Sequence, residues 1–538
     1  MNYLTGVLML LLKNRLNLAD VAKQSAKGSI ILMLGQVLST VILALGSIIL
    51  ARLLGSANYG ILTVANIPIS VMLLFGELGV NSALVKYISQ YRLEEKAGEV
   101  RKLVKTGLVI NVLINTLLSF LTFFLSEFLS EKIFHEPQLN ILIKIGSLSL
   151  LAQALMTSSL SIFIAFDRME FHSLTNLTFS ILKSVISPIL VVVGYGVFGA
   201  TVGSTLSYIV TASICLSVVW FLTLRGSDER LELETFKKII HFGYPLFLSN
   251  LIVGGLAQLF NFLLAIYVEA SVIGNYQAAL NFSVLIGFIL TPITTVLFPL
   301  FSKFDAKRDD ELEFVFQGAV KYSSILLVPA TMGLIVLAEP IVRVIYGGTY
   351  QLTPFFLQLS IINTLFVSLG SNAIPALLNS QGKTKVNFIS NLLYFSLALP
   401  LSLVLIPKFG VIGLLSITIL ASKPSLIYLI LWVRRNFGFT IEWRSSSKIF
   451  ISSSLAFLIV YMILRIFPIP DILSLVIGIG VFLLAYSVLL PLMRAIESKD
   501  IQNLKGIIGS LGPLAPLSNT YFKFLSKLIR TSNQDSVK

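Results

Sequence analysis

Within one apolar run, Ser180, Lys183, Ser184 and Ser187 follow the i, i+3, i+4, i+7 spacing that shares one face of a helix. A lysine in the middle of a membrane-crossing helix costs several kcal/mol, so it should face a wet cavity or a partner. The flanking hydroxyls can donate to phosphate oxygens beside such an ammonium, which makes this stripe a candidate anion site. Snorkelling or an internal ion pair are the bland alternatives. Lys423 is the second lysine inside an apolar run; Pro424 follows it and weakens the local helix. It can also snorkel. Asn250, Gly254, Gln258 and Asn261 lie along a further stripe, and Gln36 and Ser47 precede Asn250 and Asn261 by 214 residues each. Matched helices with inward polar groups suit a cavity between two halves, although a hydrogen-bonded helix seam has the same pattern. Arg52 and Glu77 close the first two apolar runs at opposite ends, and Glu77 can titrate, which makes it a candidate for ion coupling.

No catalytic centre stands beside these groups. His135, His172 and His241 are scattered, and the single Cys215 excludes a disulfide framework or a multi-cysteine metal site. Gly382-Lys383-Thr384 resembles the end of a phosphate-binding loop, but Leu377 stands where its first glycine is needed. The expectation is no catalytic residue, no metal and no cofactor.

The positioning elements follow from composition. Of 538 residues, 56% are hydrophobic and only 12% are charged, and the mean hydropathy is +0.89. A span needs about 20 mostly apolar residues. Such runs lie near 29–50, 61–79, 105–126, 140–165, 176–194, 197–222, 243–268, 271–301, 319–338, 353–379, 387–406, 409–433, 449–467 and 471–493. They predict an all-α membrane protein, because unpaired backbone is intolerable in lipid and strand alternation is absent. With the N-terminus inside, 32 of the 40 Lys and Arg residues fall on the inner side and six on the outer. That asymmetry predicts both termini in the cytoplasm. It also explains the net charge of +14 without nucleic acid, since the excess faces an anionic leaflet. No basic n-region of a cleavable signal peptide is expected. Residues 1–28 read instead as an amphipathic segment with Lys13, Arg15, Lys23 and Lys27 toward headgroups.

An internal repeat divides the chain. Ala51, Gly60 and Ala65 recur as Ala265, Gly274 and Ala279, and Gly196, Val197 and Gly199 recur as Gly410, Val411 and Gly413, all 214 residues apart. A parallel duplication of a six-helix unit is expected. The domains are then 29–224 and 243–433 as two pseudo-symmetric bundles, 225–242 as a cytoplasmic linker, 434–494 as two additional helices, and 495–538 as a basic tail.

Gly76-Glu77-Leu78-Gly79-Val80-Asn81, running on through Lys86-Tyr87-Ile88, resembles the stretch after the second helix of polysaccharide-export flippases. Ala51-Arg52-Leu53-Leu54-Gly55 before Tyr59-Gly60 is similar to their first outer turn. Gly274-Asn275-Tyr276 and Phe298-Pro299-Leu300-Phe301 are similar to the second-half counterparts. These proteins belong to the multidrug/oligosaccharidyl-lipid/polysaccharide exporter superfamily. The resemblance implies two bundles around a central cavity that work by alternating access. It implies a polyprenyl- or dolichyl-(pyro)phosphate-linked oligosaccharide as substrate, moved from the cytoplasmic to the outer leaflet of the cell membrane. Arg52 and Lys183 are the implied phosphate contacts. Glycosyltransferases or a polymerase of the same pathway are the implied partners, besides membrane lipids. Two readings compete. A cation-coupled multidrug antiporter of the same superfamily should carry carboxylates in mid-span, where this chain has lysines. A membrane-embedded glycan polymerase or transferase should carry its chemistry on a long outer loop, and 127–139 and 339–352 are short.

Overall fold

A computed structural model describes residues 18–225, 232–305, 311–467, 469–496 and 500. The amphipathic segment expected at 1–28 lies mostly outside these residues, as do part of the linker and nearly all of the basic tail.

The described chain is helical. Helix α1 (Leu18–Gly76) covers the first two expected spans, divided at Gly55, whose φ of 72° breaks the helix. The chain continues through α2 (Val80–Leu93), α3 (Ala97–Phe128), α4 (Leu139–Ala165), α5 (Met169–Leu190), α6 (Gly196–Val219) and α7 (Leu233–Tyr267). Next come α8 (Ala270–Phe301), α9 (Glu311–Val336), α10 (Ala338–Tyr346), α11 (Thr353–Ile361) and α12 (Ala373–Ser380). The described chain closes with α13 (Thr384–Phe437), α14 (Trp443–Ile466) and α15 (Asp471–Leu492). Among the described residues, nine helical stretches are long and apolar enough to cross a membrane. Three of them, of 46, 56 and 54 residues, are each long enough for two crossings. Two bent pairs, broken by 42° and 55°, supply one crossing each. All fourteen expected runs are thus accounted for, and the protein is a multi-pass membrane protein.

Backbone geometry carries the repeat. Gly196 has φ 51° and ψ −135°, and Gly410 has φ 55° and ψ −130°. Only glycine adopts this region without strain. The two glycines lie 214 residues apart and each sets the bend between two consecutive crossings. A shared sequence offset has therefore become a shared backbone device.

The chain forms two compact units, Met1–Ile266 and Tyr267–Lys538. In the first, α1 packs on α4, α5 and α6, and α3 packs on α4. A core of Val80, Leu84, Ile88, Leu103, Val104, Ile162 and Phe163 fills the end near the α1–α2 turn. In the second, α8 packs on α9, α11 and α12, and α14 packs on α9 and α15. Its core gathers Phe301, Phe316, Leu377, Leu378 and Phe439. Asn275, from the Gly274-Asn275-Tyr276 motif, has a structural duty here. Its Oδ1 accepts from the backbone N–H groups of Leu352 and Thr353, both at 3.1 Å, and so caps the start of α11.

Candidate functional site

The first unit contains a polar chamber of about 370 Å³. Its floor is the Gly76–Asn81 turn. Leu78 (φ 40°) and Gly79 (φ 72°) take left-handed conformations that end α1 and launch α2. The break frees the Gly76 carbonyl, which accepts from Asn115 Nδ2 at 3.0 Å. Asn115 Nδ2 also donates to the Asn111 carbonyl at 2.9 Å. Its Oδ1 is buried and has no partner among the described residues, although a buried amide normally satisfies both ends.

The walls come from four helices. Ser70 stands on α1 and Glu77 just past its end, Asn111 and Asn115 on α3, Gln153 and Thr157 on α4, and Asn250 and Gln258 on α7. Asn81, from α2, ties three of these helices together. Its Nδ2 donates to Glu77 Oε1 at 3.0 Å, and its Oδ1 accepts from Asn111 Nδ2 at 3.3 Å and from Ser158 Oγ at 3.1 Å. Asn111 Nδ2 also donates to Ser158 Oγ at 2.6 Å. Among the described residues, Glu77 is the only charged one that lines the chamber. An arrangement of amides and hydroxyls around one carboxylate can hydrogen-bond a hydroxyl-rich group or a cationic one. Among the described residues it offers no cation to a phosphate.

Of the sequence-derived candidates, Glu77, Asn250 and Gln258 therefore meet in one place. Asn261 lies beside them, its Nδ2 donating to Gln258 Oε1 at 3.4 Å. The hydroxyl stripe of α5 is largely absorbed by helix packing. Ser180 Oγ donates to the Asn176 carbonyl at 2.7 Å, and Ser184 Oγ donates to the Ile42 carbonyl of α1 at 2.9 Å. Ser187 is buried against Gly203 of α6. Lys183 is half-buried, with its ammonium 5.6 Å from the Phe179 ring centre and 5.7 Å from that of Tyr208. Gln36 and Arg52 are exposed on α1 and do not line the chamber. Lys423 belongs to the second unit, where its Nζ donates to Asn363 Oδ1 at 2.9 Å above the Phe366 ring.

Sequence reading missed Asn111, Asn115, Gln153 and Thr157. The signal was present as two i, i+4 polar pairs within apolar runs. Asn111→Leu removes the donor to both Ser158 and Asn81 and should destabilise the protein by about 1–3 kcal/mol, the range for a buried partner left unpaired. Thermal unfolding in detergent measures this, and an unchanged midpoint would show that the network is dispensable.

The polysaccharide biosynthesis protein family matches residues 49–353, more than half of the chain. The chain belongs to that family. Among the family member's relatives, the probable low-salt glycan biosynthesis flippase Agl15 of Haloferax volcanii is 22% identical over 256 residues, covering 45% of this chain and 51% of that protein. Lipopolysaccharide biosynthesis protein WzxC of Escherichia coli (strain K12) is 31% identical over 138 residues, 26% of this chain and 28% of that one. The chain thus spans about half the length, or less, of the curated relatives it matches. Among solved structures, the lipid II flippase MurJ in an inward closed conformation superposes with a TM-score of 0.69 at 20% identity, covering 86% of this chain and 99% of that one. An inward-facing multidrug resistance MATE family transporter of the MOP superfamily gives 0.59 at 16% identity, covering 74% and 94%. At these identities the likeness is one of fold, and the fold is that of the superfamily expected from the sequence.

Proposed function

We propose that this protein is a flippase for lipid-linked oligosaccharides, moving them from the cytoplasmic to the outer leaflet by alternating access. The observation that carries the reading is the amide-lined chamber inside a membrane-embedded unit. A sugar head is too polar to cross lipid unaided, and carbohydrate hydroxyls both donate and accept. Side chains such as Asn111, Asn115, Gln153 and Gln258 match both needs at once. Family membership and the names of the relatives point to the same class. In this reading the prenyl tail stays in the bilayer, and Lys183 and Arg52 supply charge for the phosphate. The family's pathway enzymes would be partners.

The deciding experiment reconstitutes the protein in vesicles with a labelled lipid-linked saccharide and measures leaflet accessibility. Protein-dependent equilibration is expected, and equal rates in protein-free vesicles would end the reading. Lys183→Ala should slow flipping about fivefold, because the ammonium held near the Phe179 and Tyr208 rings would no longer neutralise the phosphate. Lys183→Arg should restore part of the rate. Full activity in the alanine variant would remove Lys183 from the phosphate path.

Orientation has its own test. The basic loop before α3 should be cytoplasmic and the loop before α4 external. In a Cys215→Ala background, Ala97→Cys and Gln138→Cys should react with an impermeant maleimide from opposite sides of the membrane. Labelling from the same side would overturn the topology.

A further inference from the structure

The second unit carries a separate crevice of about 300 Å³ where α13 ends and α14 begins. Gly438, at φ 77°, stops α13 and turns the chain back. Phe439 and Ile441 then insert into the core, while Thr440 between them faces outward. That loop is clamped to α9. The Thr440 backbone N–H donates to Glu313 Oε1 at 2.9 Å and its hydroxyl donates to the same oxygen at 3.1 Å. Gln317 Nε2 donates to the Thr440 carbonyl at 3.1 Å. One wall of the crevice is therefore fixed by hydrogen bonds rather than left to loop motion.

The remaining walls are apolar and open outward. Leu431 and Trp443 line the crevice and are 58% and 60% exposed. At its rim stands Arg434, whose guanidinium forms no ion pair and no side-chain hydrogen bond among the described residues. Four basic residues, Arg434, Arg435, Arg444 and Lys448, stand here against two acids, Glu442 and the Glu313 that holds Thr440. An apolar slot that ends at a free guanidinium beside an indole matches a membrane interface. The slot accepts hydrocarbon, the indole sits at headgroup level, and the guanidinium pairs with phosphate through two parallel hydrogen bonds.

We propose that this crevice seats one anionic membrane phospholipid, with an acyl chain against Leu431, Ile441 and Trp443 and its phosphate at Arg434. The inference rests on the reading that this end of α13 faces the cytoplasmic leaflet. It is independent of what the first unit carries. The occupant is a resident phospholipid rather than the transported one, because among the described residues the crevice lining offers one cation, Arg434, and none of the amides that a sugar head requires.

Native mass spectrometry of the full chain, released from micelles containing phosphatidylglycerol or phosphatidylcholine of identical acyl chains, tests the site. The wild type should retain one phosphatidylglycerol in preference to phosphatidylcholine. Arg434→Ala should lower that retention at least about fivefold, the effect of one basic residue at an anionic surface. Trp443→Ala should also lower it. Arg435→Ala, on the same helix but outside the crevice, should retain the lipid as the wild type does. An equal loss in Arg434→Ala and Arg435→Ala would mean diffuse attraction and overturn the site, as would equal retention of the two lipids by the wild type. Displacement of phosphatidylglycerol by equimolar polyprenyl phosphate would assign the crevice to the transported lipid and overturn the proposal. Because the readout is retention, a failure here leaves flipping in vesicles untouched, and the reverse also holds.

Discussion

Glu77→Gln is expected to lower flipping of a lipid-linked saccharide about tenfold or more, a loss of transition-state stabilisation of about 1.4 kcal/mol or greater. The substitution keeps the shape of the side chain. A glutamine oxygen still accepts from Asn81 Nδ2, which meets Glu77 Oε1 at 3.0 Å, so the turn and the chamber persist. What disappears is the only charge lining the chamber among the described residues. If that carboxylate binds a proton or a cation during each cycle, the glutamine cannot, and the coupled step stalls. Leaflet accessibility should be followed in vesicles with imposed pH or sodium gradients, together with the thermal midpoint of the purified variant. A slowed variant with a wild-type midpoint supports the coupling role. Wild-type flipping that ignores both gradients, together with an unaffected glutamine variant, would reduce Glu77 to a structural acceptor for Asn81.

The sequence made some of this chamber visible and hid the rest, for a reason that lies in side-chain chemistry. Hydropathy located the crossings, and a constant offset exposed the repeat that Gly196 and Gly410 express as matching backbone bends. Asn250 and Gln258 stood out because they share a stripe with Asn261. The α5 hydroxyls stood out equally, yet two of the three bond to nearby backbone. A serine in a helix can satisfy itself on the carbonyl one turn back, as Ser180 does on Asn176. A row of hydroxyls therefore carries little information about a cavity. An amide has two donors and an acceptor and cannot be satisfied by its own turn. Asn111 needs Asn81 and Ser158, which lie 30 and 47 residues away in sequence. Those partners come together only through tertiary packing, so Asn111, Asn115 and Gln153 read as isolated polar residues. Their pairing at i, i+4 was the available clue, and amide pairs deserve more weight than hydroxyl stripes in such helices.

Gly79→Val is expected to deplete the folded protein, and Gly79→Ala to destabilise it by several kcal/mol. Two costs combine. Gly79 has φ 72°, where a side chain on an L-residue costs about 1–2 kcal/mol. A Cβ there would also lie 2.2 Å from the Gly243 carbonyl oxygen and 2.5 Å from its Cα. Those atoms are backbone and cannot rotate aside, so α7 must shift, and overpacking of this kind costs about 1–3 kcal/mol. The approach is mutual, because a Cβ on Gly243 would stand 2.5 Å from the Leu78 carbonyl oxygen. Two glycines thus let the chamber's floor touch the helix that carries Asn250 and Gln258. Gly438 separates the two costs. It lies at φ 77° and ψ −4°, close to the φ 72° and ψ 10° of Gly79, with nothing within 4 Å of a built Cβ, so Gly438→Ala bears the conformational cost alone. Thermal stability of the two alanine variants, followed by size-exclusion in detergent, should place Gly79→Ala clearly below Gly438→Ala. Equal midpoints would mean that α7 yields without cost, and the close approach would then play no part in holding the chamber together. A variant that survives at Gly79 with α7 displaced should also lose flipping, since Asn250 and Gln258 would move away from Glu77.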